Sequence, residues 1–245
     1  MTTGLSYDGS VAGTNSYVQQ IATMAVVEPS DPAFTIILPQ MITYAENRMY
    51  RDLDFLFTSV ATTQYGMTVG SRQISVPAGT IVVPEQINVL VGSSNPDEAT
   101  RCALLPTTKE FLDTVYNSGA SANRGLPKYF CPFDDYTFLV GPYPDQAYPC
   151  EIVGTIRPDS LSSTNKTTFI SLYLPDLFIM ASMIYISAYQ RNFGRANDDP
   201  QMAVTYESQY QALLKSASME ENRKKFEAAA WSSQSPSAAA SPTRG

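Results

Sequence analysis

Histidine is absent from all 245 residues. That removes Ser-His-Asp and Cys-His activation of a nucleophile, His-ligated zinc, and the usual general base near neutrality. Cysteine is scarce. Cys102, Cys131 and Cys150 are odd in number, and no two have the spacing of metal ligands, so neither a zinc knuckle nor a disulfide framework is expected. They read as reduced, buried thiols of a cytoplasmic product. No glycine-rich phosphate loop occurs. Basic residues are in the minority, with 16 Lys and Arg against 23 Asp and Glu, a net charge of −7. A broad basic face for gripping nucleic acid is therefore not expected, although DNA could still pass by.

Membrane signals are also missing. The opening "MTTGLSYDGS" has neither the basic nor the apolar part of a signal peptide. Residues 172–189, "LYLPDLFIMASMIYISAY", are nearly long enough to span a bilayer, but Pro175 and Asp176 interrupt them and Lys or Arg do not flank both ends. A buried helix is expected instead. The Ser163–Lys166 match to Ser-x-x-Lys lacks its companion motifs. The Asp134–Asp135 and Asp198–Asp199 doublets lack further ligands at a recognisable spacing. No catalytic, cofactor-binding or metal-binding residue is named, and no enzyme activity or cofactor is expected.

What the chain does carry is aromatic side chains, 15 Tyr and 11 Phe, and clear helical periodicity at both ends. Residues 17–27 read as a short helix capped by Ser16 and ending at Glu28–Pro29, after a flexible, Gly-rich lead over 1–13. In "LPQMITYAENRMYRDLDFLF", residues 38–57, the stripe Leu38, Met41, Ile42, Ala45, Met49, Leu53 and Leu56 recurs at threes and fours. Glu46, Asn47, Tyr50, Arg51 and Asp54 are assigned to the opposite, polar face. Asp31 and Pro32 make a cap and first-turn pair for this helix, with Pro39 as a kink or a second start.

From 58 to 160 the texture changes to short Val-, Ile- and Thr-rich runs punctuated by Gly and Pro, which predict strands. A short helix with Thr107 as its cap is expected over 107–116. "YTFLVGP" and "CEIVGTI" are expected to pair as neighbours. Pro127, Pro132, Pro142, Pro144 and Pro149 are expected at turns or edges. Helical periodicity returns at 172, with a last helix started by Asp199–Pro200 and striped by Tyr206, Tyr210, Leu213, Leu214 and Ala217.

Past Ala217, "MEENRKKFE" is charged nearly all round. The pairs Glu220–Lys224, Glu221–Lys225 and Arg223–Glu227 are expected to let the helix project into solvent. The Ala/Ser/Pro-rich remainder cannot bury enough surface to order itself, so a neighbour is expected to hold it through Phe226 and Trp231. Arg48, Arg51, Asp52 and Asp54 are expected in ion pairs at a helix–helix or subunit contact. The fold class is α+β: a bundle of four main helices from 1–57 plus 161–227, a β-rich insertion over 58–160, and an extended arm over 228–245.

The ordered set "AENRMYRDLDF", "GLPKYFCPFDDYTFLVGPYPDQAYPCEIVGTIRPDSLS" into "FISLYLPDLFIMASMIYISAYQ", and "VTYESQYQALLKSASMEENRKK" resembles tailed-bacteriophage head-to-tail adaptor (connector) proteins. The likeness covers roughly residues 17 to 230. It departs from the family in having Val204 and Tyr206 where a Trp or similar bulky residue often stands early in the last helix. The resemblance implies a virion protein of the neck or tail, assembled in the host cytoplasm. It implies a ring, usually of twelve copies, docked under the portal and joined below to tail nozzle or fibre proteins. In such a ring Arg48, Arg51, Asp52 and Asp54, read above as ion-paired at a helix–helix or subunit contact, are the candidate subunit-contact residues. The arm, with Arg223, Lys224, Lys225, Phe226 and Trp231, would bind the portal. Genomic DNA would pass during ejection without specific binding, and no membrane is involved. The rival expectation is a soluble carbohydrate- or peptide-binding module using the aromatic β insertion.

Overall fold

A computed structural model describes residues 4–77, 79–93, 95–187 and 202–228. The chain is α+β and divides into two compact units, Phe57–Pro158 and the combination of Met1–Leu56 with Asp159–Gly245.

The second combination holds the long helices. Leu5 is buried, and β1 (Gly4–Ser6) pairs in parallel with β2 (Thr14–Ser16). Residues 4–13 of the lead are thus structured, contrary to the expectation of a flexible segment. Its polar residues are used locally: Lys166 binds Asp8 and Ser10, and the Tyr7 amide donates to the Lys166 carbonyl. Ser16 caps α1 (Tyr17–Ala25) by accepting from the Gln19 amide, and Val26 ends it in the left-handed region at φ 56°. The end therefore comes before Glu28–Pro29.

Asp31 accepts from the Ala33 and Phe34 amides at the start of α2 (Pro32–Asp52). The helix runs through Pro39 with no second start, so one lost backbone bond is outweighed by the packing of the stripe on either side. It stops at Asp52, five residues earlier than the periodicity suggested. Leu53 turns extended, Leu53 and Phe55 are buried from that extended segment, and a 3-10 turn follows at Leu56–Thr58.

The apolar run near 172 is two helices. Thr168 and Ser171 form a capping box for α4 (Phe169–Tyr173), and Pro175 opens α5 (Pro175–Ser187) as its first residue. Among the described residues no helix is long and apolar enough to cross a membrane. α5 packs against α1, α2 and α6 (Met202–Ala228). Tyr17 stacks on Phe178 at 4.7 Å and its hydroxyl donates to Ser182 at 2.6 Å, fixing α1 on α5. The Asp199–Pro200 start lies outside the described residues.

Phe57–Pro158 forms two four-stranded sheets. One has the order β3 (Ser59–Met67), β10 (Tyr148–Thr155), β5 (Val83–Val91), β6 (Thr100–Ala103). The other runs β4 (Gln73–Ser75), β9 (Thr137–Gly141), β8 (Tyr129–Asp134), β7 (Leu105–Pro106). Ile74, Phe130, Phe138 and Val140 from one sheet share a core with Ile87, Val89, Cys150 and Ile152 from the other. β9 and β10 therefore lie in different sheets and are not neighbours, because each contributes its apolar face to opposite walls of that core. Pro132 and Pro149 stand inside strands rather than at turns. Both are tolerated because the second neighbour is missing there: β7 reaches only Tyr129 and Phe130, and β5 pairs with β10 only from Cys150 onward. α3 (Lys109–Val115) is capped by Thr108, one residue later than expected, and packs Leu112 on Cys131 and Leu139.

Candidate functional site

The charged residues picked out at the end of α2 meet α6. Arg48 donates to both Glu207 oxygens, at 2.7 and 2.6 Å, and to Asp52 at 3.4 Å. Its guanidinium also lies over the Tyr210 ring, 4.4 Å from the centroid. The Tyr210 hydroxyl, on a fully buried ring, donates to Asp52 at 2.8 Å. The fork of Arg suits this arrangement, since it satisfies a carboxylate bidentately while its flat face covers an aromatic ring. The guanidinium holds the Glu207 carboxyl below its usual range, and burial raises the Tyr210 phenol. Arg48 and Asp52 are thus engaged within one chain, and Asp54 pairs with Lys225 of α6. Arg51 is exposed beside them.

The charged end of α6 does not project into solvent as expected. Its buried face simply becomes polar. Glu221 is 4% exposed and accepts from the Leu56 amide at 3.2 Å and from Lys224 at 2.7 Å. Lys225 pairs with Asp54, and Lys224 sits 5.6 Å above the Phe169 ring. Glu220–Lys224 forms at i, i+4, but Glu221 takes Lys224 rather than Lys225. The Leu56 amide has turned out of α2 and needs an acceptor, which the Glu221 carboxylate supplies. Spacing carried this signal: Glu221 and Lys225 continue the three-and-four stripe beyond Ala217.

Of the proposed arm residues, Lys224 and Lys225 therefore serve the chain's own packing, while Arg223 is exposed and Phe226 is 50% exposed. With Met219, 61% exposed, they line one outer face of α6 at positions i, i+4 and i+7. Trp231 and the arm over 228–245 lie outside the described residues, apart from Ala228, which ends α6.

Sequence reasoning misplaced one residue in particular. Glu46, assigned to the polar face of α2, is 1% exposed. Both its oxygens accept from the Leu161 amide, at 3.2 and 3.3 Å, and one accepts from the Thr168 hydroxyl at 3.4 Å. Burial pushes its carboxyl up to about 7. Its spacing from Ile42 and Met49 had placed it in the apolar stripe, and only its charge argued otherwise.

No group of three or more His, Cys, Asp or Glu among the described residues could hold a metal ion. Cys150 is buried and its thiol is pushed up to about 12 by that burial, which leaves it protonated and inert. What the arrangement supports is rigid contact: a long helix clamped along one side, with an exposed face at its end.

The family model described as SU10 adaptor protein matches residues 17–237. The chain belongs to the SU10 adaptor protein family. That membership makes it a bacteriophage structural adaptor protein, a component of the virion neck that contacts other capsid or tail proteins, and implies a non-enzymatic role. It favours the adaptor reading over a carbohydrate- or peptide-binding module. No curated protein matches the chain.

Proposed function

We propose that this SU10-family adaptor forms the head-to-tail ring, docking under the portal and carrying tail nozzle or fibre proteins below. The observation that carries the reading is the family match over 17–237. The fold adds physical support. α6, with 27 residues, is about 40 Å long, and its clamped side leaves Met219, Arg223 and Phe226 turned outward near its end. Aromatic and Arg side chains on an exposed face are the usual anchors of a protein interface. In this reading the helices α1, α2, α5 and α6 form the bundle of each subunit. The arm over 228–245, with Trp231, reaches the portal. Twelve copies surround the ejection channel, and assembly takes place in the host cytoplasm.

The charge balance fits passage of DNA. Tight DNA binding needs Lys and Arg to displace counterions from phosphates. A chain of net charge −7 offers few such sites on an acidic wall, so a genome can slide without being held. The test is mass measurement by light scattering of the purified chain, alone and mixed with its portal. A ring or portal-bound ring of about twelve copies is the expected outcome. A chain that stays monomeric in both conditions overturns the proposal. Deleting residues 228–245 should abolish portal docking, and unchanged docking would remove the arm from the mechanism.

A further inference from the structure

We propose that the Glu46 carboxylate is a proton-controlled latch on the segment Asp159–Thr168, holding that segment on α2 when neutral and loosening it when ionised. The inference is independent of the ring and portal reading. Asp159–Thr168 brings the chain back into the helical unit and leads straight to the capping box of α4. Glu46, mid-way along α2, is the segment's polar anchor on that helix: the Leu161 amide and the Thr168 hydroxyl donate to it, and so does the Ser160 hydroxyl, while Lys166 separately ties the segment to Asp8 and Ser10.

The groups that act on Glu46 are donors and not cations: Lys166, the segment's own cation, is paired with Asp8. The titratable groups facing Glu46 are Tyr17 from α1 and Tyr50 from α2 itself. α4 has no charged residue, and α5 has only Asp176 in its first turn, with Tyr185 packed on Tyr44. The nearest Arg on α2, Arg48, is committed to Glu207 and Asp52. On α6 the charged groups at the contact with α2 are Glu207, which is taken by Arg48, and further along Glu221, Lys224 and Lys225, which bind one another, Leu56 and Asp54. Among the described residues no Lys or Arg forms an ion pair with Glu46.

A buried carboxylate without a cation is costly when charged and cheap when protonated. Opening the segment lets water reach the group and restores its ordinary acidity. The closed state, with its carboxyl at about 7 against 4.5 for the free group, binds the extra proton between those two values. Rising pH over that window therefore favours opening, and above about 7 the effect levels off. Within that window each pH unit should change the closed-to-open ratio by up to about tenfold.

The test is amide hydrogen exchange of the full chain from pH 5 to 8, expressed as protection factors so that intrinsic exchange rates cancel. In the wild type, protection of residues 160–168 should fall about tenfold per pH unit up to about 7 and then level, while amides of β10 stay constant. Glu46→Gln should abolish the step. Ser160→Ala, which removes one donor to the ionised form, should keep the step and extend it above pH 7. A flat wild-type profile overturns the latch without requiring any variant to fold. A step that survives in Glu46→Gln overturns it equally, by assigning the titration to another group. Neither result bears on whether the chain forms a ring on its portal.

Discussion

The clamp between α2 and α6 can be tested by replacing Arg48 with Met, which keeps the aliphatic stem and removes the guanidinium. Three contacts are lost: the bidentate pair with Glu207, the weaker one with Asp52 at 3.4 Å, and the cover on the Tyr210 ring at 4.4 Å. The side chains of Arg48 and Glu207 are 22% and 38% exposed, so solvent screens the pair and its share is set near the upper end for surface pairs, about 1 kcal/mol. A cation over a partly desolvated ring adds about 1 kcal/mol. The Asp52 contact adds little because of its length. The sum is a loss of about 2 kcal/mol, a roughly thirtyfold shift in the folded-to-unfolded ratio. Urea unfolding followed by far-ultraviolet circular dichroism measures it. A double-mutant cycle with Glu207→Gln isolates the pair, with an expected coupling of about 1 kcal/mol that shrinks in high salt. A loss under about 0.5 kcal/mol together with zero coupling would show that apolar packing alone holds α6, and the clamp would have no energetic role.

Glu221→Ala leaves the Leu56 amide without its carboxylate acceptor in a buried setting, and should destabilise the helical unit by about 1–3 kcal/mol in the same assay. Its charge-neutral counterpart Glu221→Gln should cost less, because an acceptor oxygen remains. Gly154→Ala should weaken the β unit by about 1–3 kcal/mol, since the new Cβ would lie 2.5 Å from the Val83 carbonyl oxygen and 2.9 Å from the Ile81 side chain. Its thermal midpoint should fall while the far-ultraviolet spectrum keeps its shape. Thiol titration at pH 8 should label Cys102, which is half-buried, well before Cys131 and Cys150, which are buried and shifted upward by that burial. Equal rates at all three would mean the sheet core opens readily.

Much of the local structure was legible because it depends on nearest neighbours in sequence. Ser16 and Asp31 cap their helices as expected, and the stripe of α2 is buried from Leu38 to Leu53. The misses share a cause. Period and charge point to opposite faces at Glu46 and at Glu221, and period prevails, because the amides of Leu161 and Leu56 on the buried side need an acceptor. The pairing of β9 with β10 failed because proximity in sequence says nothing about which wall of a two-sheet core a strand joins.

Sequence alone determined which catalytic side chain is missing and where several helices start. Histidine is absent and cysteines are few whatever the fold, and caps and stripes follow from residues a few positions apart. Only the tertiary structure decided where the charges go. Arg48 finds Glu207, Asp54 finds Lys225, and Glu46 finds the segment before α4, all across separations of more than a hundred residues. An ion pair or a buried carboxylate is specified by the distance between side chains in space, and that distance exists only once the helices have packed.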